Sequence, residues 1–79
     1  MSSANAARYH PTAEPLGRWL LRQVTRDDAI GQLAKAAKAD PRFPKDGDFE
    51  AISKRLNELQ ADGDTHAALE DADLEAAAY

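Results

Sequence analysis

The sequence predicts an all-α protein, a compact bundle of four short helices. Three observations support this. Apolar residues recur at helical spacing in four separate segments, no segment shows the alternation typical of a strand, and many of the hydrophobic residues are alanines, which favour helix. The 79 residues suffice for one small domain. We expect its core to leave a net stability of only about 3–5 kcal/mol.

The first helix is predicted to begin near Glu14. Pro15 suits the first helical position, with Thr12 or Glu14 near the cap. Apolar residues then recur at i, i+3, i+4 and i+8, which places them on one face: Leu16, Trp19, Leu20 and Val24. A short connection over residues 25–28 leads to the second helix.

The second helix is predicted to start after an aspartate, because Asp27 or Asp28 can accept hydrogen bonds from its free N–H groups. Gly31 lies inside this helix at a propensity cost of about 1 kcal/mol, which predicts that a neighbouring helix approaches closely there. The residues expected to face inward are Ile30, Leu33, Ala34 and Ala37.

The segment Asp40-Pro41-Arg42-Phe43-Pro44 predicts a stiff turn between the second and third helices. Its two prolines fix φ and restrict the residues before them, so we expect one conformation that seats Phe43 in the core. A loop ending in a capping residue leads into the third helix. This helix has the cleanest apolar stripe: Phe49, Ile52, Leu56 and Leu59.

The boundary between the third and fourth helices is predicted at Gly63, which can adopt the left-handed conformation, with Asp64 or Thr65 capping the fourth helix. The fourth helix, over residues 66–79, has a thin apolar stripe from which Leu74 deviates. That stripe consists of Leu69, Ala72, Ala76 and Tyr79. The whole predicted core is Trp19, Leu20, Ile30, Leu33, Phe43, Phe49, Ile52, Leu56 and Leu69.

The two ends of the chain differ in composition and charge. Residues 1–13 show no apolar periodicity and are predicted to form a flexible tail, so the helical domain is expected over residues 14–79. The formal net charge is −4; residues 61–79 carry six acids and no base, whereas residues 1–60 carry about +2. The acidic end disfavours non-specific nucleic-acid binding and leaves a basic face available elsewhere.

Four segments, taken in order, resemble the YozE-type sterile-alpha-motif-like (SAM-like) family over roughly residues 16–79. They are Trp19-Leu20-Leu21, Asp28-Ala29-Ile30-Gly31-Gln32-Leu33-Ala34, Asp40-Pro41-Arg42-Phe43-Pro44 and Phe49-Glu50-Ala51-Ile52. The most specific element is the Asp-x-x-Phe-Pro turn followed by an aromatic-x-x-Ile helix start. The resemblance implies a four-helix SAM-like bundle of bacterial or phage origin, for which protein association and nucleic-acid binding are the functions suggested by fold analogy. Family members carry bulky aromatics in the last helix, whereas this chain has Leu69, Ala72, Asp73 and Leu74.

The residues offer no pattern typical of an enzyme or a cofactor site. There is no cysteine, and His10 and His66 are too far apart in sequence for metal-ligand spacing. Residues 46–48 match only half of a calcium loop, and no Gly-rich phosphate loop or Gly-x-Ser-x-Gly elbow occurs. We therefore expect no enzymatic activity, no cofactor, no metal and no small-molecule substrate.

One set of cations stands out as a candidate interaction surface: Arg18, Arg22, Arg26, Lys35 and Lys38. Clustered cations of this kind can contact phosphates. A solvated helix face is the alternative, because the acids Glu14, Asp27 and Asp28 are nearby in sequence.

The favoured function is a non-enzymatic helical interaction module that binds a protein partner or self-associates, with weak DNA binding through the basic face of the first helix as the alternative. No apolar run approaches the ~20 residues needed to cross a bilayer. No signal peptide is evident, so a cytoplasmic location without membrane contact is predicted.

Overall fold

The computed structural model describes residues 14–78 and contains four α-helices. They are α1 (Leu16–Leu21), α2 (Ala29–Ala39), α3 (Phe49–Glu58) and α4 (Gly63–Ala77). No strand occurs within these described residues, so the prediction of an all-α four-helix bundle is confirmed. The predicted flexible tail, residues 1–13, and the predicted apolar contact of Tyr79 lie outside the described residues.

Helix α1 is shorter than the apolar stripe predicts. It ends at Leu21, and residues 22–25 form turns in which the N–H groups of Arg22 and Gln23 donate to the carbonyls of Trp19 and Leu20 at 3.1 and 2.9 Å. This i,i+3 bonding tightens the chain and ends the α-helical ladder. Val24 consequently packs against the core only partly buried.

The start of α1 also differs from the prediction. Pro15 occupies the capping position rather than the first helical position, and no side chain caps the helix. Glu14 is not a cap; its carboxylate accepts hydrogen bonds from Arg22.

An aspartate caps each of the other three helices, accepting a backbone N–H three residues later. Asp28 accepts from Gly31 at 3.0 Å and Asp48 from Ala51 at 3.0 Å. At α4 the cap is Asp62, which accepts from both the N–H and the hydroxyl of Thr65. The prediction of Asp64 or Thr65 as this cap is therefore wrong, because the helix already begins at Gly63.

The end of α3 is formed by Gln60, not by Gly63 as predicted. Gln60 has φ of 57°, and the N–H of Ala61 donates to the carbonyl of Leu56 at 3.0 Å. This is the six-to-one hydrogen bond of a Schellman motif, whose left-handed residue is usually glycine. Gly63 has a negative φ and is the first residue of α4.

The predicted core is confirmed except at one position. Eight of the nine residues are buried, and Phe49 is only partly buried because it is the first residue of α3 and packs from the margin. The buried hydrophobic residues that the prediction of the core did not include are Leu16, which is 1% exposed, and five alanines: Ala34, Ala37, Ala68, Ala72 and Ala76.

The stiff turn seats Phe43 in the core, as predicted, with a residual exposure of 7%. Backbone hydrogen bonds fix the turn and the loop after it. The N–H of Phe43 donates to the carbonyl of Asp40 at 3.1 Å, and the N–H of Gly47 donates to the carbonyl of Pro44 at 2.9 Å. The N–H of Gly17 then donates to the carbonyl of Gly47 at 3.0 Å, which joins the turn to α1.

Gly31 marks a close approach of backbone, although not by a neighbouring helix as predicted. A Cβ at this position would collide with the carbonyl and side chain of Arg26 in the segment before α2. The glycine therefore permits the chain to fold back tightly onto the first turn of α2.

Candidate functional site

The three arginines of the candidate interaction surface are all ion-paired. Arg18 pairs with Asp46, which lies in the loop before α3, and Arg22 pairs with Glu14. The carboxylate partners hydrogen-bond to the guanidinium groups and raise the pKa of both arginines. The positive charge of each arginine is therefore compensated by its carboxylate partner.

Arg26 joins the connection before α2 to α4. Its guanidinium donates to Glu75 at 2.9 and 3.1 Å and also to Asp28, and the pKa of Arg26 is raised by these two carboxylates. The same contacts lower the pKa values of Asp28 and Glu75, so both remain ionised. This arginine therefore crosslinks the fold.

The two lysines of the candidate surface lie on α2. The Nζ of Lys35 donates to the carbonyl of Arg26 at 3.4 Å, whereas Lys38 is exposed and has no ion-pair partner within residues 14–78. Because α1 ends at Leu21, Arg26 does not continue the helical row of Arg18 and Arg22. The five residues thus lie on three separate elements, and their arginines are paired.

A further ion pair, which the sequence reasoning missed, locks the stiff turn to α3. Arg55 donates to both carboxylate oxygens of Asp40 at 2.8 Å and to Glu58 at 3.2 Å. The Asp40 and Arg55 side chains are only 11% and 16% exposed. The Arg55 guanidinium and the N–H of Arg42 lower the pKa of Asp40 from 3.8 to about 2. The sequence showed Asp40 at the start of the Asp-x-x-Phe-Pro turn, where its carboxylate also accepts the N–H of Arg42, but gave no sign of Arg55 as its partner.

Three neighbouring cavities that share lining residues follow α2 and α4, and together we call them the α2–α4 groove. A cavity of about 200 Å³ at one end is lined mainly by apolar residues, among them Leu33, Ala36, Phe43, Leu56 and Leu59. A middle cavity of about 260 Å³ shares Leu33 and Ala36 with it. A third cavity of about 360 Å³ shares Ala29 with the middle one and includes Leu74.

The groove follows two helices that run antiparallel. Ala36 near the end of α2 shares a cavity with Thr65 at the start of α4, and Ala29 at the start of α2 shares one with Leu74 near the end of α4. The large hydrophobic side chains exposed among residues 14–78 are Leu59 and Leu74, at 51% and 70%. They lie at opposite ends of this groove.

The groove is strongly acidic. Its lining contains one arginine, Arg55, and six acids: Asp28, Asp40, Asp62, Asp64, Asp71 and Glu75. Within the described part of the chain, Asp64 and Asp71 have no cation at ion-pair distance. The sequence shows the acidic excess of residues 61–79. It does not show that some of these acids lie on the side of α4 that borders the groove.

The remaining chemistry of the described residues is sparse. No group of three or more His, Asp or Glu side chains in residues 14–78 is arranged to hold a metal ion. Over the same residues, no helix combines the length and apolar character needed to cross a membrane. His66, on the first turns of α4, is partly buried and belongs to no cluster of this kind.

Comparison with known proteins identifies a family for this chain. No curated protein matches the chain, and no solved structure does. A family model described as the YozE SAM-like fold matches residues 18–74, which include α2, α3 and the stiff turn and most of α1 and α4. Because this match covers well over half of the chain, the chain belongs to the YozE SAM-like family.

Proposed function

We propose that this domain is a non-enzymatic module for protein–protein association. The observation that carries the proposal is the placement of Leu59 and Leu74, the large hydrophobic side chains exposed among residues 14–78: Leu59 lines an open, mainly apolar cavity, and Leu74 lines one that apolar and acidic residues share. Isolated surface leucines are ordinary, but apolar side chains beside concave apolar surface are typical of binding sites.

The state of the arginines supports a protein partner over DNA. Phosphate binding needs cations that can exchange small counterions for phosphates. Arg18, Arg22 and Arg26 instead already contact carboxylates, which a phosphate would have to displace. Residues 14–78 also carry fourteen acids against nine Lys and Arg, so their long-range field repels a polyanion.

DNA binding through Arg18, Arg22, Arg26, Lys35 and Lys38 remains the alternative, and one titration separates the two. A fluorescent DNA duplex is titrated with the protein at about 50 and about 200 mM salt, and anisotropy is recorded. We expect no saturable binding at either concentration. The variants are Lys35→Gln with Lys38→Gln, and the matched control is Lys54→Gln, an exposed lysine on α3 outside the surface.

Binding at low salt that the Lys35→Gln and Lys38→Gln pair removes, and that Lys54→Gln keeps, would overturn the proposal. Association is tested in parallel by sedimentation velocity for self-association and by affinity capture from bacterial lysate. We expect the wild type to capture one protein reproducibly in repeated experiments. We expect a Leu59→Ser and Leu74→Ser double variant to lose that protein.

A further inference from the structure

We infer that the α2–α4 groove binds a basic amphipathic helix of a different protein. The inference rests on the proposed function and deepens it by naming the surface and the chemistry of the partner. It is carried by three properties of the groove: its length, its apolar anchors and its charge.

The length of the groove suits a helix of about three turns. On α2 the lining runs from Ala29 to Asp40, which at 1.5 Å per residue is about 17 Å. Four of the six lining residues on α4 follow i, i+4, i+7 and i+11 spacing, so these four form one straight stripe: Asp64, Ala68, Asp71 and Glu75. A partner helix of about 11 residues spans the same distance.

The floor and ends of the groove fit the apolar face of such a helix. Ala29, Ala36 and Ala68 line the middle of the groove and present little side-chain bulk, while the exposed Gln32 beside them can move aside or hydrogen-bond to a bound helix. The cavity beside Leu59 measures about 200 Å³, and an apolar cavity of about 150 Å³ is large enough to take up benzene. One bulky aliphatic or aromatic side chain of the partner therefore fits at that end, and a second contacts Leu74 at the other.

The charge of the groove selects a cationic partner. Asp64 and Asp71 lie on the α4 stripe, are exposed, and have no cation at ion-pair distance within residues 14–78. Lys or Arg side chains flanking the apolar face of the partner helix would pair with them. Complementary charge of this kind raises association rates and discriminates against acidic helices.

A second copy of this chain does not fit the groove. The basic face of α1 belongs to a helix whose apolar side chains, such as Leu16 and Leu20, are already buried in its own core. The large hydrophobics that a second copy exposes over the same described range are Leu59 and Leu74; Leu74 stands beside Asp71 and Glu75, and Leu59 beside the Asp40–Arg55 ion pair, so neither brings an unpaired cation from its cavity. Self-docking would thus bring like charges together, which costs affinity.

The experiment uses a synthetic probe and the intact protein. The probe is a fluorescent peptide of about 14 residues with leucines three and four residues apart and lysines elsewhere, and its twin has every lysine replaced by glutamate. Binding is measured by anisotropy, and amide chemical shifts map the contact. We expect the lysine peptide to bind with shifts along α2 and α4, and the glutamate twin to bind at least about tenfold more weakly.

Matched variants locate the site. Asp71→Lys should weaken binding about three- to tenfold, whereas Glu70→Lys, which makes the same charge change one residue away and outside the lining, should change it less than about twofold. Leu74→Ser and Leu59→Ser should each weaken binding about tenfold, because each removes an apolar contact. Leu74 is 70% exposed and Leu59 51%, so the melting temperature should stay close to the wild-type value for Leu74→Ser and fall by only a few degrees for Leu59→Ser, leaving both variants folded.

Four results would overturn the inference: no binding of the lysine peptide, equal binding of the two peptides, equal losses for Asp71→Lys and Glu70→Lys, or a dimer that Leu59→Ser dissociates. Amide chemical-shift changes that cluster on another face of the bundle would show that the groove is not the binding site. They would leave the proposed role in protein association intact. Saturable DNA binding by the wild type would instead remove the proposed function itself.

Discussion

The junction between α1 and the stiff turn provides the sharpest test of how the fold is held. At Gly17 an added Cβ would lie 2.5 Å from the carbonyl oxygens of both Pro44 and Lys45, which are backbone atoms and cannot rotate away. Ordinary contact begins near 3.4 Å. Gly17→Ala therefore has to push the turn about 1 Å from α1 and weaken the hydrogen bond from Gly17 to Gly47.

The expected magnitude results from two opposing effects. Overpacking of this kind costs about 1–3 kcal/mol, whereas Gly→Ala by itself gains about 0.4–1 kcal/mol by restricting the unfolded chain. Because two backbone atoms collide at once, we expect a net loss of about 1–2 kcal/mol for Gly17→Ala. In a domain of this size that lowers the melting temperature by roughly 5–15 °C.

Gly63→Ala is the matched control, because a Cβ there meets nothing within 4 Å and φ is negative. It should raise the free energy of unfolding by about 0.4–1 kcal/mol. Both variants are measured by thermal and urea unfolding followed by circular dichroism. Equal effects of the two substitutions, or a Gly17→Ala variant as stable as wild type, would refute the described packing of the turn against α1.

Three further predictions concern stability. Gln60→Gly should raise the free energy of unfolding by about 0.5–1 kcal/mol in urea titrations, because a left-handed φ strains a residue with a Cβ; a loss of stability would contradict this geometry. Trp19→Ala should cost about 3–5 kcal/mol, comparable with the whole stability, so an unchanged melting temperature would show that the core is assigned wrongly. The pKa of Asp40 is lowered from 3.8 to about 2, so the stability from its pair with Arg55 is present above about pH 4 and is lost as the pH falls towards 2. Asp40→Asn should flatten that part of the urea-midpoint profile between pH 4 and 2, and an unchanged slope would count against the pair.

Helical spacing predicted most of the fold because burial follows the period of the helix. Leu20, Ile52 and Leu69, which lie on three of the predicted stripes, are all fully buried. The errors fall at helix ends, where local signals compete. Gly63 was the better intrinsic candidate for the left-handed position, yet Gln60 occupies it, because the chain turns there to place Ala61 beside Leu56.

The candidate site was much less predictable than the fold. The arginines of the candidate surface could be seen in the sequence with two nearby partners, Glu14 and Asp28. Their distant partners could not, since Asp46 is 28 residues from Arg18 and Glu75 is 49 residues from Arg26. Such distant pairs form only after the helices have packed. The groove has the same origin, because it needs the antiparallel placement of α2 and α4, and no pattern within either helix specifies their relative direction.

The acids on α4 are hard to explain by stability alone. This helix has no basic residue in its last turn, although cations near a helix C-terminus are stabilising and anions there are not. Glu75 is compensated by Arg26, whereas Asp71 has no cation at ion-pair distance among the described residues. Asp71, beside alanines that leave space and a leucine that remains exposed, is thus an acid of this stripe that the proposed basic helix would pair with. The stiff turn contributes to the same surface, since Phe43 and the Asp40–Arg55 pair line the end of the groove at Leu59.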